Sequence, residues 1–130
     1  MSMDSAIRAR LKGDTAVAAI VGTRVDWDER PQRSAMPAIV LEIASDPRPT
    51  NMGGLDGSRG TRIWVNCFAL DAEQKRALRE AAIAALVPEA TQDGVNFRRS
   101  FVNNVITRSE NTETGFVHRD LVDITIWHET

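Results

Sequence analysis

The stretch TRIWVNCFALDAEQKRALREAAIAAL, residues 61–86, changes from a strand pattern to a helix pattern within a few residues. Over Thr61–Ala69, successive side chains alternate in character, and an alternation of period two predicts a β-strand. Over Asp71–Leu86, alanines and leucines recur at helical spacing, with Asp71 placed to cap the helix and Pro88 to end it. An alanine-rich helix directly after such a strand predicts a helix packed on a sheet.

The two faces of the Thr61–Ala69 strand differ in size and polarity. The residues expected to face the core are Ile63, Val65, Cys67 and Ala69. Those expected on the opposite face are Arg62, Trp64, Asn66 and Phe68. Because Trp64 and Phe68 are too large and apolar to be left in water without cause, we expect them to lie under a helix or against another subunit.

The rest of the chain extends this pattern in both directions. The elements predicted upstream are a helix over Ser2–Leu11, a short helix over Asp14–Val21, a strand over Arg24–Asp28, a loop over Arg30–Pro37, a strand over Ala38–Ala44 and a long polar loop over Ser45–Gly60. Two strands predicted downstream, Asn96–Ile106 and Phe116–His128, form an antiparallel hairpin. The sequence therefore predicts one α+β domain over residues 1–130, with a mostly antiparallel sheet of about four to five strands and two main helices on one face.

The composition favours a globular protein and disfavours a dedicated nucleic-acid binder or a membrane protein. The 130 residues are 42% hydrophobic and 26% charged, which is typical of a globular chain. A net charge of −2 does not favour a dedicated nucleic-acid binder, which usually carries a clear basic excess. The opening MSMDSAIRARLKGD has charges every few residues and does not resemble a signal peptide, and no segment reaches the ~20 apolar residues of a membrane span.

The histidines and the single cysteine do not predict a chemical centre. Cys67 cannot form an intrachain disulfide, and its position among apolar residues favours a buried side chain over a nucleophile. His118 and His128 share a strand face but are separated by about 33 Å at the rise of a strand, so one subunit cannot use both on one metal. We expect both histidines to be solvated or interfacial.

Two further motifs have nucleic-acid or phosphate alternatives. The segment Gly54–Gly60 (GLDGSRG) lacks the GK[ST] ending and following helix of a phosphate-binding loop, and its GSRG part lies between predicted strands rather than between the helices that flank a KH loop. A flexible loop is expected there. Arg98 and Arg99 beside Phe97 and Phe101 imitate a base-stacking patch, but the signal is weak and local.

Two clusters of acidic residues could have either a structural or a chemical role. They consist of Asp26, Asp28 and Glu29, and of Asp120 and Asp123. Paired carboxylates can bind a divalent cation or transfer protons, but no partner motif accompanies either cluster. We expect solvated edges, or salt bridges to Arg24, Arg30 and Arg119.

Several phrases in succession resemble the tail-terminator, or tail-completion, proteins of long-tailed bacteriophages, prophages and gene transfer agents. The phrases are LKGDTAVAAIVGTRVDW (residues 11–27), RPQRSAMPAIVLEIASDPRPTNMGGLDG (30–57), TRIWVNCFA (61–69) with its alanine-rich helix, and ENTETGFVHRDLVDITIWHE (110–129). The resemblance runs almost end to end, although no single phrase is diagnostic.

This resemblance implies a structural protein of a virion or phage-like particle, assembled in the bacterial cytoplasm, with no catalytic residue, cofactor or metal. It implies a ring, typically a hexamer, at the head-proximal end of the tail tube, which stops tube polymerisation and presents a surface to the head connector. DNA passes through the lumen without specific binding, and no membrane is involved. The alternative is a head-completion or connector adaptor protein of the same particle.

The residues we expect at the subunit or partner interfaces combine exposed aromatic and basic side chains. They are Arg48, Arg59, Arg62, Trp64, Phe68 and Trp127. The aromatic members supply apolar area beyond what one layer of a small domain needs. Arg48 and Arg59 lie in the predicted Ser45–Gly60 loop, which is long enough to reach a neighbouring subunit, a tail-tube ring or the lumen.

Overall fold

A computed structural model of the chain describes residues 2–29, 36–47, 50–51, 54–55, 58–112 and 115–129. Its helices are α1 (Met3–Gly13), α2 (Thr15–Val21) and α3 (Ala72–Leu86). Its strands are β1 (Val25–Trp27), β2 (Ala38–Ser45), β3 (Thr50–Asn51), β4 (Gly54–Leu55), β5 (Ser58–Ala69), β6 (Ala90–Gln92), β7 (Val95–Phe97), β8 (Phe101–Thr107), β9 (Glu110–Thr112) and β10 (Gly115–Glu129).

Each helix begins at a capping side chain. Ser2 accepts a hydrogen bond from the Ser5 amide at 3.3 Å, Asp14 from the Val17 amide at 3.0 Å, and Asp71 from the Gln74 amide at 2.7 Å. These bonds satisfy amide groups that the first helical turn leaves without a backbone acceptor. The cap predicted at Asp71 is confirmed, and Asp14, where a short helix was predicted to begin, caps α2.

The long strand β10 organises the sheet. It pairs antiparallel with β5 from His118–Ala69 to Glu129–Ser58, and its other edge pairs in turn with β9, β8 and β7. The strand order is β1-β2-β5-β10-β7-β6, with β8 and β9 also against β10. The predicted hairpin between the last two strands is confirmed, because β8 and β9 run antiparallel to β10.

The predicted count of four to five strands was too low, since the main sheet has eight. The predicted strand Asn96–Ile106 is divided by residues 98–100 into β7 and β8, where the Ser100 amide donates to the Val87 carbonyl after α3. β6 was also missed, and it joins β7 through Asp93 and Gly94, both at positive φ, as a two-residue hairpin requires.

The prediction of a loop over Ser45–Gly60 was wrong in part. β3 and β4 form a small separate hairpin inside it, and β5 begins at Ser58 rather than Thr61. The extension exists because β10 is long enough to pair with Ser58, Arg59 and Gly60.

All three helices contribute to one core on one face of the sheet. The buried apolar residues of the helices include Ile7, Leu11, Val17, Leu78, Ala82 and Leu86, and those of the sheet include Ile39, Leu41, Ile63, Val65, Cys67, Val122, Ile124 and Ile126. The predicted core face of the Thr61–Ala69 strand is confirmed. Helices on one face were also predicted, but α2 joins the two expected main helices in the core.

Candidate interaction surfaces

The face of the sheet away from the helices, called the open face below, carries the larger group of predicted interface residues. By the alternation of side chains it consists of Val40 and Glu42 on β2, Arg62, Trp64, Asn66 and Phe68 on β5, and Arg119, Leu121, Asp123 and Trp127 on β10. Trp64 and Phe68 are half-buried, although no helix in the described residues covers them. Among the described residues, Arg119 lies against Phe68 and Trp64 hydrogen-bonds to Asp123 on the same face.

Asn66 is the centre of one group on the open face. Its side-chain amide is buried and donates to the Val40 carbonyl at 3.1 Å and to Glu42 at 2.8 Å. Its oxygen accepts from Arg119 at 2.6 Å, and the Arg119 guanidinium lies 5.3 Å from the centre of the Phe68 ring. Phe68 is therefore partly covered by a cation of its own chain, which makes this part of the face mixed rather than apolar.

Arg62 and Asp123 form a second group on the open face. The Arg62 Nε lies 2.8 Å and 3.0 Å from the two carboxylate oxygens, and the guanidinium also donates through NH2. Hydrogen bonds from Arg62 hold the pKa of Asp123 below its usual value, against the opposing effect of burial. Arg62 itself is exposed and open to a partner.

The remaining predicted interface residues lie toward one end of the sheet. Trp127 is exposed at its edge and packs over Gly60, where an added Cβ would lie 3.0 Å from the indole ring. Arg59 pairs with Asp46 at 3.1 Å. Arg48 lies outside the described residues. On the open face, the row of Trp127 is next to that of Arg62, and Trp64, Asn66 and Phe68 follow along β5. Arg59 has the opposite parity, that of the helix-bearing face.

Two of the predicted salt-bridge partners of the acidic clusters, Arg24 and Arg119, were wrong, whereas Asp28 and Glu29 are exposed, as the alternative of a solvated edge predicted. Asp26 lies 3.9 Å from Arg8, Asp123 pairs with Arg62, and Asp120 pairs with two cations of α3. Arg24 instead donates to the Pro37 carbonyl, and Arg119 donates to Asn66. Arg30, the third cation expected to pair with them, lies outside the described residues. Sequence parity identified the faces of the strands, but it carries no information on which strand lies beside them.

Asp120 was expected at a solvated edge or in a salt bridge; it forms salt bridges, but it is fully buried under α3 and its partners are not the predicted ones. Lys75 Nζ lies 3.3 Å and Arg79 3.0 Å from its carboxylate, and the Thr107 hydroxyl donates at 3.0 Å. This position follows from parity, since Asp120 precedes Val122 on the core face of β10. The spacing of Lys75 and Arg79, one turn apart on α3, was the sequence signal that could have identified the pair.

His128 is buried as well, contrary to the expectation of a solvated or interfacial side chain. Its Nε2 lies 2.8 Å from the Thr61 hydroxyl, and that hydroxyl donates to Asp46 at 2.9 Å, so Nε2 is the donor of the first bond. Burial is the largest cause of a lowered pKa for His128, and the charge of Arg59 lowers it further. His118 instead packs edge-on against Phe116, with ring centres 4.7 Å apart.

The thiol of Cys67 lies in surroundings that favour a structural role over a catalytic one. Burial raises the pKa of the Cys67 thiol to about 12, and the carboxylate of Asp120 adds to the rise. In the described part of the chain, no three His, Cys, Asp or Glu side chains converge as a metal site would require. The described helices also include none with the length and apolar run that would cross a bilayer.

Exposed apolar side chains mark both edges of the sheet, and sequence reasoning missed them. On β8 they are Phe101, Val102 and Val105, and at the opposite edge Ile43 on β2 is exposed. Phe116 and Leu70 are also exposed, at the hairpin of β9 and β10 and after β5. The order of side chains in β8, FVNNVIT, has no period of two, and an edge position depends on which strand lies beside it, so this position could not be derived from the sequence.

The comparisons with known proteins agree with this architecture. A family model described as "Tail completion protein gp17" matches residues 5–129. A chain in a solved structure titled "Virion of native gene transfer agent (GTA) particle" is similar with a TM-score of 0.72 and 18% identity, covering 99% of this chain and 96% of that chain. At this identity the likeness shows the fold alone. No curated protein matches the chain.

Proposed function

Because the chain belongs to the tail completion protein gp17 family, we propose that it forms a ring at the head-proximal end of a tail tube, stops tube polymerisation and joins the tail to the head. The chain is a structural tail-completion protein of a phage or phage-like particle. The family match over residues 5–129 is the observation that carries the proposal, because it includes every described strand and all of the described helices except the first two residues of α1.

The distribution of polar and apolar side chains supports a role carried out by surfaces. The sole cysteine is buried and its thiol is held in the protonated form, while Asp120 and His128 are both held by hydrogen bonds inside the fold. Exposed apolar residues lie at two opposite edges of the sheet instead. We propose that this chain contributes contacts to the particle and no catalytic step.

The proposed partners are further copies of the chain in a ring, the tail-tube protein and the head connector proteins. A closed ring uses head-to-tail contacts, so one subunit needs two different and complementary patches. Hexameric ring size is the expectation from the family resemblance. In this role DNA crosses the lumen without specific contacts, which is compatible with a net charge of −2. The particle is assembled in the bacterial cytoplasm under this proposal.

Purified protein, alone and mixed with tail-tube subunits of the same particle, provides the test. Size-exclusion chromatography with light scattering measures the mass, and negative-stain imaging detects rings and the ends of tubes. Rings, or tubes that carry an additional ring at one end and stop growing, are the expected result. A protein that stays monomeric at high concentration and adds nothing to tubes overturns the terminator role. Binding to filled heads but not to tubes also overturns it, in favour of a connector adaptor.

A further inference from the structure

The strands β2, β5, β10 and β8 form a continuous antiparallel run whose two outer strands differ. β2 is antiparallel to β5, β5 to β10, and β10 to β8, so β2 and β8 point in opposite directions. Among the described residues, nothing pairs with the outer side of β8, and β1 pairs only with Ile39–Leu41 of β2. The described part of the chain therefore leaves β8 and the second half of β2 open.

One row of side chains crosses this run and ends at both open edges. The register places Ile43, Ile63, Ile124 and Val102 side by side on the helix-bearing face. The two central residues are fully buried, whereas Ile43 is 45% exposed and Val102 is 37% exposed. The apolar row that contributes to the core thus continues to each edge of the run, where its last side chain is partly exposed to solvent.

The backbone at both ends of the row also faces outward. The Ile39 amide donates to the Arg24 carbonyl and the Leu41 carbonyl accepts from the Asp28 amide, so the odd residues of β2 direct their peptide groups toward the outer edge. On β8, Phe101 faces Thr125 of β10 across the ladder, so the next residue, Val102, directs its peptide groups outward. Two outward-facing residues on antiparallel strands form a hydrogen-bonded pair when they meet.

The charges around the two edges are complementary. β8 has no charged residue between Phe101 and Thr107, although exposed edge strands usually carry one as protection against pairing. Exposed Arg99 precedes β8, and exposed Asp28 and Glu29 follow β1, beside the second half of β2. Among the described residues these three side chains have no ion-pair partner, so each is available to a neighbouring subunit.

We infer that the Val102 end of β8 in one copy of the chain pairs with the Ile43 stretch of β2 in the next copy, and that this contact closes the ring. The inference rests on the proposed function and names the contact it requires. Because the two edges of one subunit point in opposite directions, subunits related by rotation about an axis along the strands meet in antiparallel orientation. In this orientation the later residues of β8 would face Ile39–Leu41 of the next copy, but β1 already pairs with those residues. Backbone pairing between copies is therefore limited to the Val102 end of β8.

The contact also explains two details of the free edge. The Val105 amide, which faces outward like that of Val102, is bonded at 2.9 Å by the side chain of its neighbour Asn104. Because the Val105 amide already has an acceptor in its own chain, this part of β8, which lies beyond the proposed pairing, is less able to pair with another strand. Val102 has no such cover among the described residues, so pairing is directed to its end of the strand.

Paired cysteines at Ile43 and Val102 test the contact. In a hydrogen-bonded antiparallel pair the Cα atoms are about 5.5 Å apart, which a disulfide spans. Within one subunit the two positions are separated by three strand spacings, about 14 Å, so any disulfide joins two copies. The native thiol of Cys67 is buried and does not compete. Mild oxidation of the assembled Ile43→Cys/Val102→Cys protein is expected to give a ladder of covalent multimers on a non-reducing denaturing gel.

Three controls make the outcome decisive. The single variants Ile43→Cys and Val102→Cys are expected to stay monomeric on the gel, because a head-to-tail contact places different residues together. The pair Leu70→Cys/Val102→Cys, with Leu70 about 23 Å along β5 from the Ile63 row, is expected to give no ladder. A dimer from Val102→Cys alone, or its disulfide to a cysteine-bearing tail-tube subunit instead of a second copy, overturns the proposed contact.

The proposed function and the proposed contact fail separately. Rings visible by negative stain that give no ladder from the double variant overturn the contact and leave the ring. A ladder from a protein that forms no ring, alone or on tubes, supports the contact between copies but overturns the terminator role. Absence of both rings and ladder overturns both proposals.

Discussion

Asp120 of β10 is enclosed by the protein at 0% exposure, and Lys75 of α3 approaches its carboxylate to 3.3 Å. Arg79 and Thr107 complete its surroundings, so one carboxylate connects α3, β10 and β8. A buried carboxylate needs such hydrogen-bond and ion-pair partners to offset its loss of hydration. The cluster therefore fixes the position of α3 over the sheet.

We expect Asp120→Ala to lower the free energy of unfolding by about 3–5 kcal/mol, because it leaves two cations partly buried without their counter-ion. Urea unfolding followed by circular dichroism measures the change. Glu110→Ala, at an exposed carboxylate without an ion pair in the described residues, is the matched control and should change stability by less than about 0.5 kcal/mol. Equal losses in the two variants would contradict a special role for Asp120.

Gly60 and Trp127 give a second prediction. A Cβ at residue 60 would lie 3.0 Å from the indole carbons, so Gly60→Ala requires the ring of the partly exposed Trp127 to shift by a few tenths of an ångström and is expected to cost about 1 kcal/mol, the low end of the range for overpacking. Gly13→Ala, where nothing lies within 4 Å, should be neutral or slightly stabilising. In a double-mutant cycle, Trp127→Ala should remove most of the penalty of Gly60→Ala. Additive losses would show that the close contact is not the cause.

The buried His128 predicts a dependence of stability on pH. Its pKa in the folded protein is lowered below the ordinary value of 6.5, so the unfolded chain takes up a proton first as the pH falls. Stability should therefore be highest above pH 6.5 and decline from there toward the lower pKa of the folded form. His128→Gln, which can still donate to Thr61, should remove this part of the dependence. Unfolding curves of both proteins between pH 5 and 8 that ran parallel would contradict the prediction.

Cys67 predicts slow thiol chemistry. Because its pKa is raised to about 12 and its side chain is fully buried, the folded protein should react with alkylating reagents only as fast as it opens. The labelling rate under native conditions, compared with that in concentrated urea, measures this protection. Asp120→Ala should accelerate labelling through its loss of stability, whereas Glu110→Ala should not. Rapid labelling of the native wild-type protein would contradict a closed core.

The sequence predicted those features that depend on local periodicity. The alternation along β5 and β10 identified the core face, and the caps at Asp14 and Asp71 marked two helix starts. The Asp93–Gly94 pair was a readable hairpin signal that the strand prediction overlooked. The same pattern analysis failed where a distant backbone decides the outcome, as at Ser100, whose amide is taken by Val87.

Charged and interfacial residues were harder to predict, for a physical reason. Arg10 has the pattern of a surface residue on α1, yet it is buried because its guanidinium donates to the Ala85 and Pro88 carbonyls at the end of α3. Its partner is 75 residues away in sequence, beyond any local pattern. Trp64 and Phe68 were correctly placed opposite the core, but their interface role stays a prediction.

The length of β10 has a consequence for synthesis. β10 follows all of its partner strands in the chain, so each of them leaves the ribosome before the strand that will join them. Without β10, nothing in the described part of the chain joins β5 to β8, and the row from Ile43 to Val102 is interrupted at Ile124. A chain that lacks β10 therefore cannot present Ile43 and Val102 at the two edges of one sheet.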